Sequence, residues 1–159
     1  MAVVRKAALL WSGGKDSALA LHYARRDHPD EACGVITGPA GSDRPERFIP
    51  MLNAARSPTF FEFDSQDLFR LYRDVDDRDE EIVVIYHSHT ATEAYPSRTD
   101  IQFGSLSPDS HWVLVSTRDP DEVEFRSFRM ADGEVTEEPV AIVPAERQSS
   151  FHPESSPSQ

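Results

Sequence analysis

His87-Ser88-His89, followed after seven residues by Ser97-Arg98-Thr99-Asp100, carries the side chains of this chain best suited to chemistry. The two histidines close a strand-like run, EIVVIYHSH (81–89), and side chains two apart on a strand point to one face, with Ser88 turned away. Two imidazoles on one face suit a single ion, and Asp100 lies 11 residues beyond His89. Ser97 is placed to cap a helix N-terminus, which puts Asp100 in the first turn, facing back toward the histidines. Two nitrogen donors and one oxygen donor leave the fourth tetrahedral position free for water. That is the pattern of a catalytic zinc, whereas structural zinc sites close all four positions, usually with cysteines. The chain has one cysteine, Cys33, and cannot build a closed thiolate site. Alone, a His-x-His pair is more often two partly exposed strand residues, and Ser-x-x-Asp more often a plain capping box. The combination, in this order and spacing, is the specific signal.

HSHTATEAYPSRTD (87–100) resembles, without gap or mismatch, the signature of the JAMM (MPN+) zinc metalloproteases. That family also needs a glutamate on an early strand, and HPDEACGV supplies Glu31 in a similar context. The likeness extends through ARRDHPDEACGV, GSDRPERFIPMLNAARSPTF, VLVSTRD and DGEVTEEPV, roughly residues 22–143, where the chain looks like the small actinobacterial single-domain members that trim ubiquitin-like sulfur-carrier proteins. The resemblance implies one zinc ion held by His87, His89 and Asp100, lowering the pKa of its bound water from about 15.7 to about 7. It implies Glu31 as the group that takes the proton from that water and returns it to the leaving nitrogen. It implies Ser97 as a hydroxyl donor to the oxyanion. The substrate it implies is a carrier ending in Gly-Gly, whose extended tail lies in a groove beside an exposed strand and is cut after the tail, releasing an amino acid such as cysteine.

These residues need a scaffold. Residues 3–11 read as a strand, 14–27 as a helix ended by His28-Pro29, and 31–38 as a buried strand with 46–54 as its antiparallel neighbour. A short extended piece follows at 60–64, then a helix over 65–77 capped by Ser65, and the strand 81–89. Strands at 111–116, 122–130 and 134–143 complete the list, with ADGE as the hairpin turn before the last. The order predicts an α+β fold, a mixed and mostly antiparallel sheet flanked by helices; the resemblance makes it the JAMM/MPN fold, which is cytidine-deaminase-like. One domain over 1–143 is expected, with a polar, Pro/Ser-rich tail at 144–159 that is expected to be disordered.

At 159 residues, with 38% hydrophobic residues and 9% aromatics, the chain suits one soluble globular domain. It shows neither a membrane-length apolar run nor a secretory cleavage pattern. A net charge of -12 disfavours nucleic acid and anionic membranes as partners. A lone cysteine fits a reducing cytoplasm. Much of the acidity lies in RDVDDRDEE (73–81), read as a solvated helix end or, more sharply, as a dock for a basic partner. Cys33, two positions along the strand from Glu31, reads as a small buried core residue. Exposed strand edges of such a small sheet suit pairing into a homodimer.

One stretch points elsewhere. SGGKDS (12–17), between an apolar strand and a helix, resembles the fingerprint of PP-loop ATP pyrophosphatases. That fold needs several more parallel strands, and the chain has no room for them, so the residues are read as turn and cap of the first strand–helix junction. A catalytically silent binding module of the same fold is the other alternative, disfavoured because all five family positions, Glu31, His87, His89, Ser97 and Asp100, are intact.

Overall fold

The computed structural model describes residues 9–11, 15–122 and 124–142. Residues 3–8 of the strand expected over 3–11, the glycine turn at 12–14, residue 143 and the tail expected at 144–159 lie outside the described residues. In chain order the elements are β1 (Leu9–Trp11), α1 (Lys15–Asp27), β2 (Cys33–Pro39), β3 (Arg47–Met51), α2 (Ser65–Asp77), β4 (Glu80–His89), α3 (Arg98–Gly104), β5 (His111–Ser116), β6 (Glu124–Ala131), β7 (Glu134–Glu138) and β8 (Val140–Ile142). Strands β3-β2-β4-β5-β6-β7 form one sheet in that order. Every neighbouring pair is antiparallel except β4 and β5, which are parallel and joined through α3. The mixed α+β architecture anticipated from the sequence is the one observed.

The middle strands are covered on both faces, which is why β4 and β5 read as continuous apolar runs rather than alternating ones. On one face Ala20 and Ala24 of α1 pack against Ala32, Ile36, Val84, Tyr86 and Val113. On the other, Leu71 and Val75 of α2 and Ile101 of α3 pack against Val35, Ile85, Leu114 and Phe128. Small residues on α1 let its backbone approach the sheet closely. Gly34 serves the same end inside β2: a Cβ there would overlap the Tyr86 ring and sit 2.7 Å from the Ile49 carbonyl oxygen. Gly34→Ala is therefore expected to destabilise the fold by about 2–3 kcal/mol through overpacking, measurable as a lower denaturation midpoint at unchanged slope.

Several boundaries differ from the sequence reading. The second helix is capped by Asp64, whose carboxylate accepts from the Gln66 and Asp67 amides, so Ser65 is its first residue and not its cap. The strand expected over 46–54 closes at Met51, and 60–64 makes only an isolated bridge, Asn53 to Phe63. The single strand expected over 134–143 is two strands. Pro139 has no amide hydrogen to continue the ladder, and beyond it β8 leaves the main sheet to pair in parallel with β1. The β6–β7 hairpin turns where ADGE was expected, with φ of 52° at Asp132 and 79° at Gly133, the left-handed pair that two-residue hairpin turns require. The acidic run is partly neutralised, since Arg47 lies 2.7 Å from Asp74 and 2.8 Å from Glu80.

At the β5 end of the sheet a buried polar network ties three strands to the 40–45 loop. His111 Nδ1 lies 2.7 Å from Glu138, and its Nε2 lies 2.8 Å from Asp43. Ser127 and Arg129 also donate to Glu138, at 3.0 and 2.7 Å. Burial pushes the Glu138 carboxyl up, but the hydrogen bonds with His111, Arg129 and Ser127 outweigh it and hold the group below its ordinary value. A carboxyl with a lower pKa folded than unfolded contributes stability above its unfolded value, about 4.3, and loses it as the pH falls through the folded value. Glu138→Gln is expected to cost about 3 kcal/mol at pH 7, and the gap to wild type should narrow as the pH drops below about 4, read from denaturation midpoints across pH.

Candidate metal centre

His87 and His89 end β4, which is buried from Val83 to His89, and their side chains emerge on the α2–α3 face. Ser97 caps α3: its Oγ accepts from the Asp100 amide at 3.2 Å, and the Asp100 carboxylate accepts from the Ser97 amide at 2.7 Å. This reciprocal capping box turns Asp100 inward. The three side chains converge. His87 Nε2 lies 3.1 Å from Asp100 Oδ1, His89 Nε2 lies 3.2 Å from Asp100 Oδ2, and the two Nε2 atoms are 3.3 Å apart.

Those separations fit a shared ion. Donors about 2.0–2.1 Å from one zinc at tetrahedral angles sit ~3.3 Å from each other. His89 Nδ1 faces the Glu93 carbonyl at 2.9 Å and the Thr92 hydroxyl at 3.2 Å. A proton on Nδ1 donated to that carbonyl leaves the Nε2 lone pair aimed at the cluster, the usual outer support of a metal-bound histidine. Phe61 stacks on the His87 ring, with the ring centroids 4.5 Å apart. All three donors are buried, at 0%, 5% and 7% exposure. An uncompensated carboxylate would be costly there. Burial pushes the Asp100 carboxyl up, but hydrogen bonds with His87 and His89 prevail and hold it far below the ordinary carboxylate range. The donor set, two imidazoles and a carboxylate without a fourth protein ligand, fits zinc in an open site.

Glu31 lies just before β2. Cys33 pairs with His87, and the Ser88 amide donates to the Ala32 carbonyl, so the chain direction brings Glu31 across from His89 on the same sheet face. It is 5% exposed. Burial pushes its carboxyl up to about 7, against the pull of His89 and with a smaller push from Asp100. A group poised there can both take and give a proton at neutral pH. Ser97 itself is exposed, with its hydroxyl beside the Asp100 carboxylate through the capping box. Cys33 is buried, its thiol toward the Met51 carbonyl at 3.7 Å, and burial pushes it up to about 12.

Two supports were not legible beforehand. Ser88, read only as pointing away, accepts from the Ala32 amide through its hydroxyl at 2.8 Å and stitches the Glu31 strand to the histidine strand. Asn53 is 7% exposed and fully engaged. Its Nδ2 donates to the Glu31 and Phe60 carbonyls at 3.0 Å each, and its Oδ1 accepts from the Ala55 and Glu62 amides. The Ser57 carbonyl takes the Glu31 amide at 2.9 Å. The 53–62 loop thus fixes Glu31 by its backbone. An asparagine inside a loop carries no sequence signal of such a role.

No described helix is long and apolar enough to cross a membrane. The family model for prokaryotic homologs of the JAB domain matches residues 17–131. The CysO-cysteine peptidase of Mycobacterium tuberculosis is 65% identical over 121 residues, covering 76% of this chain and 82% of that protein. A solution structure from Desulfitobacterium hafniense superposes with a TM-score of 0.72 at 27% identity, over 88% of this chain and 97% of the other. A JAB1/MPN domain protein from Archaeoglobus fulgidus shares the fold, with a TM-score of 0.52 at 19% identity over 85% and 99% of the two chains. With the matched span containing Glu31 and the His87–His89–Asp100 cluster, this chain belongs to the prokaryotic JAB-domain family.

Proposed function

We propose that this chain is a zinc-dependent peptidase that hydrolyses the bond after the C-terminal Gly-Gly of a ubiquitin-like sulfur-carrier protein, releasing an amino acid such as cysteine and regenerating the carrier. The observation that carries this reading is the convergence of His87, His89 and Asp100 at 3.1–3.3 Å, with a buried carboxyl, Glu31, on the same face. The likeness to the M. tuberculosis CysO-cysteine peptidase supports the substrate class.

Zinc on these three side chains would supply Lewis acidity at the scissile carbonyl and a water acidified to a pKa of about 7. Glu31 takes one proton from the attacking water and delivers it to the nitrogen as the C–N bond breaks, so the carrier leaves with a carboxylate and the amino acid with a free amine. Ser97, at the α3 N-cap, donates its hydroxyl toward the oxygen that gains charge. Asp100 aligns the cluster and balances its charge. Strand β3 is the open edge of the sheet beyond β2, and an extended glycine tail can add there through main-chain hydrogen bonds that ask little of side chains. The lone cysteine suits the reducing cytoplasm as the setting, and the two open sheet edges suit a homodimer.

Incubating the zinc-loaded protein with a Gly-Gly-ending carrier that bears a C-terminal cysteine tests this by mass spectrometry. Loss of one cysteine residue's mass from the carrier is expected. An unchanged carrier mass would refute the assignment.

A further inference from the structure

The cavity beside Glu31 has a charge pattern that the hydrolytic chemistry leaves unused. It measures about 490 Å³ and lies between the end of α1 and the end of β3, inside the ~300–1,000 Å³ range of small-molecule sites. Glu31 forms part of its wall, and Cys33 and Met51 add soft, apolar surface. Two arginines line it. Arg26 is engaged, its Nε 3.2 Å from Asp27 and its guanidinium 4.9 Å over the Tyr23 ring. Arg56 has no side-chain hydrogen bond or ion pair among the described residues.

The backbone of Arg56 is in the left-handed region, with φ of 45°, where glycine or asparagine is at home and a long side chain is strained. Its turn is nonetheless firmly held. The Arg56 amide donates to the Asn53 carbonyl at 3.2 Å, the Ala55 amide to Asn53 Oδ1 at 3.0 Å, and the next residue, Ser57, accepts from the Glu31 amide. A strained cation is thus fixed to the same turn that fixes Glu31, facing the same cavity.

A group that protonates the leaving nitrogen must touch the leaving side of the scissile bond. Glu31 is the residue this cavity shares with the candidate metal centre, which makes the cavity the candidate space for the leaving group. When that group is a single α-amino acid it carries a free carboxylate; when it is a protein lysine it does not. We infer that Arg56 binds the α-carboxylate of the released amino acid and so selects carriers whose C-terminal extension is one free amino acid. This rests on the peptidase reading proposed above. Asp27 and Asp30 line the cavity as well as Glu31; Asp27 is taken up by Arg26, and Asp30 repels a carboxylate, so Arg56 is the cation left to hold one.

The test compares two carriers, one ending in Gly-Gly-cysteine with a free carboxylate and the other in the carboxamide. Zinc-loaded wild type should prefer the acid by about 10–100-fold in kcat/KM, as one charge-assisted hydrogen-bonded pair supplies. In Arg56→Gly the preference should fall to near unity, chiefly through KM on the acid substrate, and Arg56→Lys should restore part of it. Glycine suits the positive φ, so the melting temperature of Arg56→Gly should hold or rise, separating lost recognition from lost folding. Equal cleavage of both carriers by wild type, or an unchanged preference in Arg56→Gly, would overturn the role of Arg56 while leaving the peptidase intact. Cleavage of neither carrier by wild type would overturn the peptidase reading and this inference with it.

Discussion

Glu31→Gln is expected to lower kcat by about 10²–10⁴-fold, the usual contribution of a positioned general acid–base, while the protein still takes up one zinc ion. Glutamine keeps the size and the backbone bonds that hold residue 31, namely its amide to the Ser57 carbonyl and its carbonyl to Asn53. It cannot accept a proton from water or return one to nitrogen. The wild-type carboxyl is buried and pushed up to about 7, so replacing it with a neutral amide removes a desolvation burden, and stability should hold or improve. Stopped-flow or mass-spectrometric turnover beside zinc content and melting temperature checks this. A variant that keeps more than a tenth of wild-type turnover would remove Glu31 from the chemistry.

The second large effect is on the metal. Asp100→Ala should weaken zinc binding by more than about 100-fold, since even outer-shell partners of a metal site are worth 10–100-fold, and turnover should fall to background. Asp100 serves two purposes, so alanine alone is ambiguous: its carboxylate faces both histidines, and it also accepts from the Ser97 amide at 2.7 Å to start α3. Asp100→Asn separates them. The amide oxygen can still accept from Ser97 and keep the helix start, but it carries no charge for a cation. Zinc affinity should drop in both variants, and the melting temperature of the metal-free protein should drop further in alanine, which loses the helix start as well as the carboxylate's contacts with the histidines. Equal zinc affinity in wild type and Asp100→Asn, by competition with a chromophoric chelator, would exclude Asp100 as a ligand.

The parts of the site that could be read from the sequence are those set by local rules. Alternation along β4 places His87 and His89 on one face, and the Ser97–Asp100 capping box aims the carboxylate back, because strand pleat and helix start are fixed within a few residues. The α+β class and most element positions followed from the same periodicities. The misplaced details were decided elsewhere in the chain. Asp64 captures the α2 cap from Ser65 because its side chain reaches two free amides. Pro139 splits the last strand, and β8 finds its partner 131 residues away at β1, a pairing to which hydrophobic pattern is blind. Asn53 and Ser88 act by side-chain bonds to distant backbone, which leaves no period or motif. Half of the first strand–helix junction, SGGKDS, falls outside the described residues. Only its end, from Lys15, is seen, as the start of α1.

The central claim is that three side chains on one sheet face hold a single divalent ion. Anomalous diffraction at the zinc edge, from crystals of the full chain grown with zinc in excess, tests it most directly. One peak bonded to His87 Nε2, His89 Nε2 and the Asp100 carboxylate, with its remaining position toward Glu31, is the predicted map. Zinc bound only elsewhere, or His87, His89 and Asp100 turned apart around no density, would contradict it.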